Sequence, residues 1–231
     1  LEALIRWQLP DGTWISPGEF IPIAEQTDLI YPIGSWVFLS AMQFLVHLQS
    51  LGYTDISMGV NVSPKQFLTR HFVDEIGRIV NKLQIPPENI VLEITEYVLM
   101  QNIDYTIQVL SNLHQQGFKL SIDDFGTGYS SLSYLKEFPV SEIKIDRSFV
   151  KDLPDSPHAS AITRSLIAVS RTLGYTVVAE GVETEAQTDF LRQHKCPVAQ
   201  GYLFSKPLPP EQLEKSLNTQ PLHTLNSSGH Q

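Results

Sequence analysis

The chain has 231 residues, and its 25 Asp and Glu against 16 Lys and Arg give a formal net charge of −9. That acidity argues against binding to a nucleic acid polymer, which rests on Lys and Arg neutralising phosphates. With 42% hydrophobic and 18% charged residues and a single cysteine, Cys196, the body reads as one globular α/β domain with no internal disulfide and no Cys-based zinc site, suited to a reducing compartment.

Short β-rich runs alternate with helical patterns, as in βα units around a parallel sheet. The first predicted strand, 1–7, opens the chain already under way, and alternation sets Glu2, Leu4 and Arg6 on one side of it. No charged and apolar leader precedes it, so no signal peptide is expected. Ser16, Pro17 and Glu19 then read as a capping-box helix start. A helix over 33–51 stops at Gly52; its apolar stretch from Trp36 to Leu51 is broken by Ser40, Gln43, His47 and Gln49 and reads as a core helix rather than a membrane span.

Strands over 57–62, carrying Asn61, and 90–95, carrying Glu93, come next, followed by a helix over 104–116 that ends at Gly117. The strand 119–123 runs into Asp123 and Asp124. The segment 123–131 beyond it has two glycines but neither P-loop nor dinucleotide spacing, so it reads as a mobile βα loop. A strand over 142–146 sets Glu142, Lys144 and Asp146 on one face. A helix over 159–173 stops at Gly174, the strand 176–179 runs into Glu180, and a short strand around 199–202 carries Gln200. From Asn218 the sequence turns polar and reads as a disordered tail, leaving a domain over 1–217. Seven strands of this kind suggest a TIM-like (β/α) barrel lacking its first strand, which would lie upstream.

The polar residues of these apolar strands fall at the C-terminal ends, which in a parallel barrel share the catalytic face. Buried ion pairs or polar layers could account for any one of them. Together, however, Glu2, Glu93, Asp123, Asp124 and Glu180 outnumber the cations Arg6 and Lys144, and buried unpaired carboxylates are costly. With the neutral oxygen of Asn61 they suit hard cations, Mg²⁺ or Mn²⁺, and a two-metal site for phosphodiester hydrolysis in which Lys144 stands near the phosphate or the water. None of the 7 histidines ends a strand, which disfavours a His-ligated metal.

The ordered series Glu2-Ala3-Leu4-Ile5-Arg6-Trp7, Ser16 to Pro22, Asn61-Val62-Ser63, Leu92-Glu93-Ile94-Thr95-Glu96, Asp123 to Leu132, Lys144-Ile145-Asp146, Ala179-Glu180-Gly181-Val182-Glu183 and Gln200-Gly201-Tyr202 resembles the EAL-domain cyclic di-GMP phosphodiesterases over residues 1 to about 217. The resemblance implies a barrel with one antiparallel strand, Mg²⁺ or Mn²⁺ as cofactor, inhibition by Ca²⁺, and hydrolysis of cyclic di-GMP to linear pGpG. It makes Glu2, Asn61, Glu93, Asp123 and Asp124 metal ligands, Glu180 the general base or a second-metal ligand, and Lys144 the holder of the nucleophilic water. Arg6 would contact the ligand phosphate, Leu4 would join it in binding substrate, and Gln200 would support the site. Glu96 would anchor the loop after Asp123, with Glu183 in a similar loop role. A homodimer, upstream sensory or GGDEF domains and a cytoplasmic setting, with membrane attachment through other domains, follow from the same resemblance. Tyr97 departs from the Ser or Thr often found after the second Glu of its motif. The alternatives are a non-catalytic cyclic di-GMP receptor and an unrelated metal-dependent barrel enzyme, such as an aldolase or a sugar phosphatase.

Overall fold

A computed structural model describes residues 1–128 and 135–219. Part of the 123–131 loop and nearly all of the expected tail lie outside the described residues. Where one core was expected, the chain divides into two compact units, Leu1–Leu120 and Ser121–Gln231.

In the first unit the parallel strands β1 (Glu2–Ala3), β4 (Met58–Val62) and β5 (Ile90–Thr95) lie side by side, with Glu2 opposite Gly59 and Asn61 opposite Glu93. The first strand is shorter than expected. It ends at Ala3, and Trp7 belongs to an antiparallel hairpin of β2 (Trp7–Gln8) and β3 (Trp14–Ile15). The chain leaves the pleat between them, so the alternation placing Arg6 beside Glu2 does not apply. Both Leu4 and Arg6 are exposed, and the Arg6 guanidinium donates to the Ile5 carbonyl at 2.8 Å.

Helix α1 (Pro17–Gln26) starts at the expected capping box on Ser16 and Glu19. Helix α2 (Ile30–Ser50) is longer than expected, and by length and composition it is apolar enough to cross a membrane. In this fold it covers β4 and the helix α4 (Phe72–Leu83), burying Phe38, Ala41, Met42, Leu45 and Leu48. Each of the Phe, Met and Leu side chains contributes about 1.5–3 kcal/mol on burial. The short α3 (Pro64–Phe67) and α5 (Glu96–Leu99) follow β4 and β5, and α6 (Ile103–Gln115) packs on α4 and α5. Between α4 and β5 lies a 3₁₀ turn, Pro87–Asn89.

The second unit repeats the pattern with parallel strands β6 (Lys119–Phe125), β7 (Glu142–Ile145), β8 (Thr176–Ala179) and β9 (Val198–Ala199). The last strand ends at Ala199, so Gln200 follows it rather than lying inside it. The helices are α7 (Arg147–Val150), α8 (Pro157–Thr172), α9 (Glu185–Gln193) and α10 (Pro210–Thr219), the last of which includes Asn218, expected in the tail. Asp146 ends the β7 alternation as the cap of α7, its carboxylate accepting from the Ser148 N–H. Ile145, Val150, Ile167, Val177, Val182, Leu191 and Cys196 form the core of this unit. The glycines expected as helix stops, Gly52, Gly117 and Gly174, all have left-handed φ, of 98°, 95° and 87°.

Candidate metal centre

Asp123 and Asp124 are consecutive on β6, and in an unbroken strand their side chains would face opposite ways. The register shows what prevents this. Ile122 pairs with Ile143 but Phe125 pairs with Ile145, so β6 carries one extra residue at a bulge. Asp124 sits there with a left-handed φ of 55°, which Asp tolerates better than most residues, and its N–H donates to Asp123 Oδ1 at 3.0 Å. The Thr127 hydroxyl and N–H both donate to the Asp124 carbonyl, at 2.8 and 3.2 Å, fixing the turn.

Glu180 follows β8, and its N–H donates to the Ile145 carbonyl at 3.1 Å. The bulge and this tether bring ligand oxygens of Asp123, Asp124 and Glu180 within 4.8 Å of one another. Lys144, opposite in alternation to the buried Ile143 and Ile145, points its ammonium into the group, 2.7 Å from Glu180 Oε1 and 3.3 Å from Asp123 Oδ1. It is only 2% exposed. Three carboxylates against one ammonium leave two negative charges, the charge of one divalent cation. An all-oxygen donor set of this charge suits Mg²⁺, Mn²⁺ or Ca²⁺ rather than zinc.

Gln200 lies beside this group through its backbone, its N–H donating to Ala179 O at 2.8 Å and its carbonyl accepting from the Val182 N–H at 3.0 Å. Glu183 accepts from the Arg147 guanidinium at 2.7 Å.

The first unit gathers its own set. The Asn61 amide donates to Glu2 Oε1 at 2.8 Å, and Glu93, 5% exposed, stands on the next strand opposite Asn61. Glu2 is held in place by its neighbour: Leu1 N donates to Ser57 O at 2.9 Å, and Leu1 O accepts from the Gly59 N–H at 2.7 Å. Gly59 is a position that the sequence reading did not single out. A Cβ at that position would run into the Glu93 carboxylate, so the absent side chain is what lets Glu93 lie flat across β4. A glycine inside an otherwise apolar strand was the available signal. Glu96, the first residue of α5, is buried. The loop it was expected to anchor lies partly outside the described residues.

The EAL domain family model matches residues 1–207. The chain is 44% identical over 220 residues to the signaling protein YkoW of Bacillus subtilis, covering 95% of this chain and 27% of that protein. It is 42% identical over 217 residues to the bifunctional diguanylate cyclase/cyclic di-GMP phosphodiesterase MucR of Pseudomonas aeruginosa, covering 94% of this chain and 32% of that protein. It thus spans about a third or less of the length of these curated relatives. Among solved structures, the PaMucR phosphodiesterase in complex with c-di-GMP matches with a TM-score of 0.89 and 43% identity, over 92% of this chain and 86% of that one. The α/β fold, with its βα units and parallel pairing, is therefore that of the EAL domains, as the TIM-like expectation required. The chain belongs to the EAL domain family.

Proposed function

We propose that this chain is a metal-dependent phosphodiesterase that hydrolyses cyclic di-GMP to linear pGpG, with its catalytic domain over residues 1–217. The observation that carries the reading is the cluster of Asp123, Asp124 and Glu180 around the buried Lys144, whose charge and donor chemistry suit a divalent cation. The c-di-GMP held by the PaMucR phosphodiesterase supports the choice of substrate.

In this reading Asp123 and Asp124 in the second unit, and Glu2, Asn61 and Glu93 in the first, are the residues that would hold Mg²⁺ or Mn²⁺, the two-metal chemistry that Ca²⁺ would inhibit. When bound, such ions stabilise charge on the phosphate as Lewis acids. Glu180 would take the proton of the attacking water; the new P–O bond would form as the P–O3′ bond breaks, and the leaving oxygen would take a proton from solvent to give the 3′-hydroxyl of pGpG. Lys144 holds Glu180 Oε1 and positions the water. Arg6 and Leu4 meet the substrate, Arg6 at a phosphate, while Gln200 supports the metal site and Glu96 and Glu183 set the adjoining loops. The reading extends to a homodimer in the cytoplasm and to an upstream sensory or GGDEF domain in a longer protein; the diguanylate cyclase activity named beside the phosphodiesterase in MucR supports a further domain.

The test is turnover of cyclic di-GMP with Mg²⁺ or Mn²⁺, beside Glu180→Gln. Formation of pGpG that falls about 10²-fold or more in the variant, the cost of losing a general base, is the expected result. Tight cyclic di-GMP binding without turnover would assign the chain a receptor role instead, and no affinity for it would refute both.

A further inference from the structure

Two acids three residues apart in the second unit, Glu180 and Glu183, face two cations with the same spacing, Lys144 and Arg147. Both pairs close at 2.7 Å. In the inner rung Lys144 is buried and Glu180 half-buried; the outer one is open to solvent, with the Arg147 and Glu183 side chains 59% and 44% exposed. Between the rungs lies Gly181, with a left-handed φ of 68°. A Cβ there would strike Cβ, Cγ and Cδ of Arg147, so the arginine stem lies directly on the backbone next to Glu180.

The same segment is tied from its other sides. The Val182 N–H donates to Gln200 O and Val182 O accepts from the Leu203 N–H, both at 3.0 Å. Oε1 of the buried Gln187 accepts from the N–H groups of Glu183 and Thr184, at 2.7 and 3.0 Å. Its Nε2 donates to the Lys151 carbonyl at 3.1 Å. Gln187 thus joins the Glu180 segment to the end of the helix that Arg147 begins.

We propose that Arg147 is a positioning residue for Glu180: its stem on Gly181 and its pairing with Glu183 hold the segment 180–183, and with it the Glu180 carboxylate, in place beside Asp123, Asp124 and Lys144. This rests on the reading that Glu180 serves a metal-dependent reaction. An exposed ion pair adds little to global stability. A misplacement of about 1 Å at a reacting group, in contrast, can cost about 10²-fold in rate. A positioning role and a merely structural one therefore predict different measurements.

The experiment compares Arg147→Ala, Arg147→Lys, Glu183→Gln and the double variant Arg147→Ala/Glu183→Gln by calorimetric titration with Mn²⁺ alone, by kcat and KM for cyclic di-GMP, and by Tm. For Arg147→Ala the Mn²⁺ Kd is expected to rise about fivefold and kcat to fall about tenfold, with KM within about twofold. Its Tm should stay within about 3 °C of the parent. Arg147→Lys should recover part of both losses, Glu183→Gln should reproduce them, and the double variant should be no worse than either single one. Unchanged Mn²⁺ affinity in Arg147→Ala, or losses that add in the double variant, would overturn the proposal. If the parent protein binds Mn²⁺ but does not turn over cyclic di-GMP, the phosphodiesterase reading fails while the Mn²⁺ titrations still decide the role of Arg147.

Discussion

Replacing Lys144 with Met keeps the length and apolar stem of the side chain and removes its charge. At an effective dielectric of about 20, Coulomb's law gives gross attractions of about 6 kcal/mol at the 2.7 Å contact with Glu180 and about 5 kcal/mol at the 3.3 Å contact with Asp123. Desolvation of the ammonium, on a side chain only 3% exposed, opposes these terms, and the measured cost of removing one partner from a buried pair is about 3–5 kcal/mol. For a chain of this size that corresponds to a fall in Tm of roughly 10 °C. Because Asp123, Asp124 and Glu180 remain crowded together, the deficit should be largest in EDTA and should shrink when Mn²⁺ replaces the lost positive charge. The assay is thermal unfolding of parent and Lys144→Met with EDTA and across a Mn²⁺ titration. A fall of less than about 2 °C in EDTA, or the same fall with and without Mn²⁺, would refute the view that one ammonium balances this cluster in place of a second cation.

Gly59→Ala should force the Glu93 carboxylate and the Leu1 carbonyl aside, at a cost of about 1–3 kcal/mol seen as a lower urea midpoint; an unchanged midpoint would mean that Glu93 moves freely. At the bulge, Asp124→Asn keeps a side chain that tolerates left-handed φ, whereas Asp124→Val does not. Both should weaken Mn²⁺ binding, but only the valine variant should lose stability, by about 1–2 kcal/mol in urea titrations. Burial, partly offset by backbone hydrogen bonding, pushes the Cys196 thiol from 9.0 up to about 11. The unfolded chain therefore releases this proton at lower pH than the folded protein. The associated stability is present below pH 9.0 and is lost as pH rises towards about 11, by up to about 3 kcal/mol. Urea midpoints measured between pH 8 and 10.5 should fall more steeply for the parent than for Cys196→Ala, and parallel slopes would contradict the burial argument.

The sequence made the order of strands and helices legible because many boundaries carry a local cause: apolar β-branched runs, the capping box at Ser16, and the positive-φ glycines that follow α2, α6 and α8. The identity of the acids was legible for a related reason. Within strands that are otherwise buried, a carboxylate such as Glu93 must have a purpose or a partner. What failed was the assumption that alternation continues unbroken. It put Arg6 beside Glu2, although the pleat ends at Ala3, and Asp146 beside Lys144, although Asp146 turns away to cap a helix. It would likewise have separated Asp123 from Asp124, which an extra residue at positive φ brings together. These departures have one physical origin. A parallel strand sends each side chain away from its neighbours in sequence, so acids adjacent in sequence, such as Asp123 and Asp124, can share one site only where the backbone leaves the pleat, whereas Glu2, Asn61 and Glu93 lie side by side on strands that keep it. The period-two rule therefore breaks down at the bulge that carries Asp123 and Asp124, and the residues it could not find, Gly59 and Arg147, act through space they leave open or cover rather than through a motif of their own.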